Sequence, residues 1–437
     1  METTLTKLKN HIFLFIFLPS FILIYHANIS KISILLQVDE ILLLISMIIV
    51  IVQIVSEMHK KIDKVYFVLI LYLIYQFINY IVSPFNHNVF LVLIQSLINI
   101  KVFLISLATL IVYNNTFYNN DAIKKTMFFF IILFFVGIII NWSIGSSWNI
   151  FYNERAVVRY GILRPIGYYI STAHVGYFFV LTFVTFYMLM SKEKIIKKTK
   201  FLKKFFIFII IDFILAFILS TRKGMFMNIP FGLFVLSLFK IKEKILILIF
   251  LSIFLSIFVY LIKDMQIFLD TQQNISDMRD PETSYIRGLM IYHGLSLFIE
   301  FFPFGVGNAS FGTVLSQYNT FEVYEYVGLP LHRIYYDNAL HGVYDSGFAS
   351  MLAENGFFGI FLMFLFIYYF FKFNKQRLDS YNYELFKIIT IFTILLSLTE
   401  PNWQNGLFTV FYVINLLYIY TKNNLYREKG KWVKYEA

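Results

Sequence analysis

The chain contains no cysteine, little charge and none of the common nucleotide- or metal-binding signatures. Without cysteine, neither a disulfide framework nor thiolate metal ligands can form. Charged residues make up 14% of the 437 positions, where a soluble protein carries about 25%. There is no GxxxxGK[ST] phosphate loop, no HExxH zinc pair and no EF-hand loop. The one glycine cluster, Gly305-Val306-Gly307 with Gly312 beyond it, lacks dinucleotide-binding spacing. No nucleotide cofactor and no metal are therefore expected. The first apolar run has no clear small-residue cleavage site and many more runs follow it, so no removable signal peptide is expected either.

What the chain does have is apolar length. It is 59% hydrophobic and 20% aromatic, and runs near the ~20 residues needed to cross a bilayer recur from end to end. The pattern predicts an all-α integral membrane protein with about 12 transmembrane helices. They fall near 12–29, 34–55, 65–82, 89–112, 127–145, 168–190, 205–220, 225–239, 245–262, 347–371, 386–399 and 405–421, the tenth being the clearest. This divides the chain into spans one to nine (1–262), one large hydrophilic excursion (263–346), and spans ten to twelve with a tail (347–437). Two charges fall inside predicted spans, Lys101 in the fourth and Asp212 in the seventh. Such charges usually pair, so a Lys101–Asp212 pair is expected.

Twelve spans put both termini on one side, and lysine says which. Lys7 and Lys9, then Lys60, Lys61 and Lys64, Lys124 and Lys125, the cluster from Lys192 to Lys204, Lys240 to Lys244, and Lys372 to Lys387 all fall on one face. Basic short loops stay cytoplasmic, which makes both termini cytoplasmic. The net charge of +11 is mostly this topology signal. It does not indicate nucleic acid, because the basic residues alternate with spans and form no single patch.

The outward face breaks the rule with arginine. Seven of the nine arginines fall there: Arg155, Arg159, Arg164, Arg222, Arg279, Arg287 and Arg333. Guanidinium binds phosphate through two parallel hydrogen bonds and stays charged at any working pH, so an external phosphate ligand would explain the choice of arginine over lysine. Ordinary loop or headgroup-anchoring residues are the alternative.

The excursion 263–346 is too rich in Tyr, Phe, Leu and Ile for disorder. Residues 284–301 predict a helix with Ile286, Leu289, Met290, Leu297 and Phe301 as its apolar stripe and Pro303 just beyond its end. Arg287 sits in its first turn, where a cation opposes the helix dipole but a bound anion would suit the free N–H groups. Tyr324, Tyr326, Tyr335, Tyr336 and Tyr344 follow. A tyrosine ring suits a sugar face, and equally the membrane interface.

Four landmarks in this region resemble the bacterial O-antigen ligase/polymerase superfamily. Ser220-Thr221-Arg222-Lys223-Gly224, at the outer end of span seven, is similar to the family's turn with a functional arginine. Arg287, followed by Pro303-x-Gly305-x-Gly307, resembles its second arginine and its P-x-G-x-G turn. Asp345-Ser346, nine residues, then Gly356-Phe357-Phe358-Gly359 fit the ligase pattern, except that Asp345 replaces its His. Arg164-Pro165-Ile166-Gly167 is similar to an R-x-x-G stretch common in the polymerases.

The resemblance implies a GT-C-like glycosyltransferase in the bacterial inner membrane, with its active site at the periplasmic face. The substrate would be an undecaprenyl-diphosphate-linked oligosaccharide, and the reaction needs neither metal nor nucleotide sugar. A chain-length regulator and a flippase are the partners implied. Asp at the ligase's His position favours polymerase over ligase. Arg222 and Arg287, with Arg164 third, would stabilise the departing diphosphate, and Arg159, Arg333, Tyr335 and Tyr336 would contribute to diphosphate or sugar binding. The acceptor hydroxyl needs a base. Asp345 is the first candidate and His341 the second, followed by His332 and Asp337. Asp345 as an N-cap of span ten is the structural alternative. A lipid-linked-oligosaccharide flippase or other transporter is the competing class. Against it, no repeat relates the two halves, and the loop Glu57–Lys64 lacks a Gly-Asp-Arg-type transporter signature.

Overall fold

The computed structural model describes residues 37–57, 62–113, 120–151, 286–336, 342–345, 347–397 and 402–428, with short stretches near 12–24, 158–167 and 339–340. The predicted spans at 168–190, 205–220, 225–239 and 245–262, most of the one at 12–29, and Asp212 lie outside the described residues. What is described is a helical bundle. Its helices are α1 (Val38–Glu57), α2 (Lys64–Val82), α3 (Val89–Ile98), α4 (Lys101–Val112), α5 (Asn120–Ile144), α6 (Ser146–Phe151), α7 (Ile286–Glu300), α8 (Glu322–Tyr326), α9 (Leu331–Ile334), α10 (Gly347–Lys375), α11 (Ser380–Ser397) and α12 (Gly406–Glu428). Two antiparallel hairpins of two-residue strands, Val158–Arg159 with Ile162–Leu163 and Tyr335–Tyr336 with Ala339–Leu340, are the strands among the described residues.

Three helices, α1, α2 and α10, are long and apolar enough to cross a membrane, and a bent pair, α3 with α4, makes a fourth if it is counted as one span. Shorter apolar stretches lie in α5 (Phe135–Ile144) and α12 (Gly406–Thr421). The surface supports a membrane setting. Ile41, Leu44, Ile48, Val52 and Val55 of α1 are all exposed, a face that water would not favour and lipid would. By contrast α4 is buried from Lys101 through Thr109 on every side, as a helix at the centre of a bundle must be. It packs on α1, α12 and the 402–404 turn.

Antiparallel packing of α2 on α10 gives the bundle two distinct ends. At one end, Asp63 stands 3.8 Å from Arg377 and the Lys64 ammonium lies over the Tyr369 ring. The basic ends of both helices thus lie together. At the other end, the loop after α2 meets the segment after α7: Asn86 Nδ2–H donates to Glu322, and the Asn88 N–H donates to Asn319 Oδ1 at 2.8 Å.

The fourth predicted span is not one straight helix. It breaks at Asn99–Ile100 and bends by 69°, so Lys101 begins a helix where a mid-span position was expected. Its partner also differs from the one expected. The ammonium donates to Asp39 at 2.7 Å and to Glu40 at 3.3 Å, both in the first turn of α1. Asp39 abuts Gly406, the first residue of α12, where a Cβ would lie 2.7 Å from the Asp39 Cγ. A negative charge beside a helix start is favoured by the helix dipole.

Lys101→Ala leaves two carboxylates facing each other without their cation. It is expected to lower the unfolding temperature in detergent, with a loss on the order of 3–5 kcal/mol. Asp39→Asn, which keeps Glu40 for the ammonium, is expected to cost less. Identical melting of Lys101→Ala and the unaltered protein would show that this pair does not hold α1 to α4.

Candidate functional site

The site is organised by a break in α10. Gly356 adopts φ 58°, ψ −168° inside an otherwise continuous helix. A break of this kind strips carbonyls and N–H groups of their helical partners, and each needs another. The turn after α7 supplies them. The Val306 N–H donates to the Ala353 carbonyl at 2.8 Å and the Gly307 N–H to the Glu354 carbonyl at 3.1 Å, while the Phe358 N–H reaches back to the Pro303 carbonyl at 3.4 Å. From α2, the Tyr75 hydroxyl donates to the Asn355 carbonyl at 2.8 Å and Asn79 Nδ2–H to that of Glu354 at 2.9 Å. The backbones approach so closely that only glycine fits. A Cβ on Gly305 would lie 2.5 Å from the Ala353 oxygen, and one on Gly356 would lie 2.5 Å from the Gly305 nitrogen. Thus Pro303-x-Gly305-x-Gly307 and Gly356-x-x-Gly359, some fifty positions apart in the sequence, interlock.

Two side-chain systems brace this joint. Glu354 is fully buried. Its Oε1 accepts from the N–H groups of Ser310 (2.8 Å) and Phe311 (2.9 Å) and from Thr313 Oγ1 (2.7 Å), which shapes the loop beyond Gly307, while its Oε2 is buried without a hydrogen bond. The second system is a chain of amides. Gln76 donates to Asn355 Oδ1 at 2.8 Å, and Asn308 donates to Gln76 Oε1 at 2.6 Å. Asn99 donates to Asn308 Oδ1 at 3.1 Å, and Gln404 to Asn99 Oδ1 at 3.0 Å. The chain therefore ties α10, α2, the 303–308 turn, the α3–α4 break and the 402–404 turn together.

At the rim, Val306 O accepts from Ser83 Oγ at 2.6 Å and lies 2.8 Å from His87 Nε2. Burial holds the His87 imidazole below its ordinary range, against the pull of the Val306 carbonyl that favours its charged form. Deeper in the loop, Tyr324 Oη accepts the Gly312 N–H at 2.7 Å. Burial raises that hydroxyl above its usual range and keeps it protonated.

The expected site residues that are described lie on several elements. Arg287 is the second residue of α7, half-buried in its first turn. Asp345 ends a 3₁₀ turn, Val343–Asp345, two residues before α10 begins. The two turns pack together: a Cβ on Gly342 would lie 3.4 Å from Ile286 Cγ2. Arg333 is half-buried in α9, Tyr335 is exposed with its ring 5.0 Å from that of Phe321, and Tyr336 pairs with Ala339 in the hairpin. His332 is exposed on α9. The backbone of Arg159 pairs with Ile162 in the first hairpin. Arg222, Arg164, His341 and Asp337 lie outside the described residues. Gly167 of the R-x-x-G stretch is held by α5 and α6: its N–H donates to Asn141 Oδ1 at 3.1 Å and its carbonyl accepts from Trp148 Nε1 at 2.8 Å. Among the described residues no three His, Asp or Glu side chains converge as a cation site.

Sequence reasoning missed Glu354 and the amide chain. The signal was present, since Gln76, Asn79, Asn99, Glu354 and Asn355 are all polar residues inside predicted spans, where a polar group marks an interior contact. The chain matches no family model and no curated protein.

Glu354→Ala would orphan two N–H groups and one hydroxyl at a cost of about 1–3 kcal/mol each, and is expected to abolish assembly of a folded, detergent-stable protein. Glu354→Gln keeps one carbonyl oxygen for the same three donors and is expected to yield folded protein. Equal yields and equal melting of the two variants would remove Glu354 from this role.

Proposed function

We propose that the protein is an O-antigen polymerase: a GT-C-like glycosyltransferase of about twelve spans in the bacterial inner membrane, with cytoplasmic termini and a periplasmic active site formed with the 263–346 segment. It moves the growing glycan from one undecaprenyl diphosphate onto the sugar of a fresh lipid-linked repeat unit. One observation carries the reading. Two of the segments that resemble the O-antigen ligase/polymerase superfamily interlock at Gly305 and Gly356, and at the far end of the helices that meet there Arg287 and Asp345 stand on adjoining turns. A candidate phosphate ligand and a candidate base are thus carried by neighbouring elements at the end of the bundle assigned to the periplasm.

In this mechanism the bond between the anomeric carbon and the diphosphate oxygen breaks, and a bond from that carbon to an acceptor hydroxyl oxygen forms. The hydroxyl proton passes to the Asp345 carboxylate, and the negative charge gathers on the departing lipid diphosphate. Guanidinium forks from Arg287 and Arg222 stabilise that charge most in the transition state. Arg164, Arg159, Arg333, Tyr335 and Tyr336 line the approach of diphosphate and sugar.

Surface lipopolysaccharide from a strain lacking the gene tests the reading. A core bearing a single repeat unit, with the ladder gone, supports polymerase. A bare core redirects the assignment, to ligase if lipid-linked polymer accumulates outside the membrane and to flippase if repeat units accumulate inside. Arg222→Ala and Arg287→Ala are each expected to abolish the ladder while the protein still inserts. A charge-assisted hydrogen bond is worth about 1.5–3 kcal/mol, so each bond lost slows transfer roughly 10- to 150-fold. Arg287→Lys is also expected to fail, because an ammonium cannot reproduce the planar fork. Normal product lengths from Arg287→Lys would exclude bidentate phosphate binding there.

A further inference from the structure

Helix α7 is apolar on two sides. One side, with Leu289, Met290 and Leu297, is buried against α10 and the loop behind it. The other side carries Ile291, Leu295 and Ile299, continued by Phe302 in the turn just beyond the helix, at the spacing of successive turns of one helical face, and all four are exposed; Ile299 is 73% exposed. Glu300 lies off this stripe, with its carboxylate accepting the Tyr326 hydroxyl. In water such a face would be costly, at about 25 cal/mol per Å² of apolar surface.

The stripe does not end with α7. The Phe302 ring lies 5.7 Å from that of Phe357 on α10, Phe357 stacks with Phe361 at 6.4 Å, and Phe364 and Tyr368 continue the exposed row. Because α10 has the length and composition of a membrane span, this row faces lipid, and the α7 stripe is the same surface carried further out. The level follows from α2. Its 19 residues rise ~28 Å, close to the ~30 Å of bilayer hydrocarbon. Ser83, at its outer end, bonds Val306 in the turn that follows α7. The end of α7 thus lies at the rim of the hydrocarbon, and its first turn with Arg287 lies roughly 20 Å further along the helix.

We propose that α7, within a segment whose hydropathy marks it as an external loop, is docked on the bilayer. Lipid acyl chains cover Ile299 and Phe302, Leu295 lies shallower, and Ile291 is outermost beside Tyr292 at headgroup level. The inference rests on surface and depth alone and stands apart from the enzymatic reading.

The absence of cysteine makes the test direct. Ile291→Cys, Leu295→Cys, Ile299→Cys and Phe302→Cys each create one site for a nitroxide, to be read by power saturation in phospholipid nanodiscs with oxygen as the lipid-soluble relaxant and a nickel chelate as the aqueous one. Phe361→Cys is the lipid reference, and His332→Cys and Glu325→Cys are the aqueous ones. Labels at 299 and 302 are expected to match 361 in oxygen-to-nickel accessibility, with the ratio falling through 295 to 291. If 299 and 302 behave like 325 and 332, the stripe faces water and the proposal is overturned. Protection from both relaxants would mean that protein covers the stripe, which overturns it equally. Ile299→Trp, read by quenching from brominated acyl chains, supplies a second probe: quenching is expected, and none would count against lipid contact.

Discussion

Hydrocarbon offers no partner to a peptide group, and the described structure is arranged around that constraint where α10 breaks. The carbonyls of Ala353, Glu354 and Asn355 and the N–H of Phe358 lose their helical partners at Gly356. Every one of them is answered from outside the helix, by Val306, Gly307, Tyr75, Asn79 and Pro303. The loop is therefore not an appendage of the bundle. Its turn completes a membrane helix, and the helix in turn dictates the path of the loop. Two glycines permit the approach, and one buried carboxylate gathers the N–H groups that follow.

This interlock governs the candidate chemistry. A guanidinium fork and a base act only when they are held to within a fraction of an ångström of where charge develops. Arg287 hangs from a helix whose far end is pinned into the α10 break. Asp345 belongs to the turn that runs directly into α10. Both residues are thus referenced to one rigid element through short stretches of chain, although they come from positions far apart in the sequence.

Local periodicity was legible in the amino-acid order, and long-range polar contacts were not. The predicted stripe of the 284–301 helix is the side α7 buries, because Leu289, Met290 and Leu297 recur at helical spacing. Lys64 and the basic run at 372–377 do share one end of the bundle. The span at 89–112, however, reads as continuous because a hydropathy average passes over Gln95, Asn99 and Lys101, and their partners, Asn308, Gln404 and Asp39, are distant in sequence. Span ten looked the clearest of all, yet it hides Glu354 and Asn355, whose polarity is cancelled by donors from 76 and 310–313. Asp39 carries no sign in the sequence of pairing with Lys101, since it sits near the edge of its own predicted span. Arg222 and Arg164, with four of the predicted spans, lie outside the described residues, so two of the three arginines expected on the departing diphosphate are known only as sequence.

The amide chain from Asn355 through Gln76, Asn308 and Asn99 to Gln404 joins five elements without a single ionisable group. Amides neither gain nor lose protons over the biological range, and a neutral group feels no net force from a transmembrane voltage. A cell whose proton gradient collapses, or whose surroundings turn acid, exerts no electrical pull on these links. The amide links of this joint, unlike the Glu354 carboxyl beside them, thus keep their pairing whatever the energetic state of the cell.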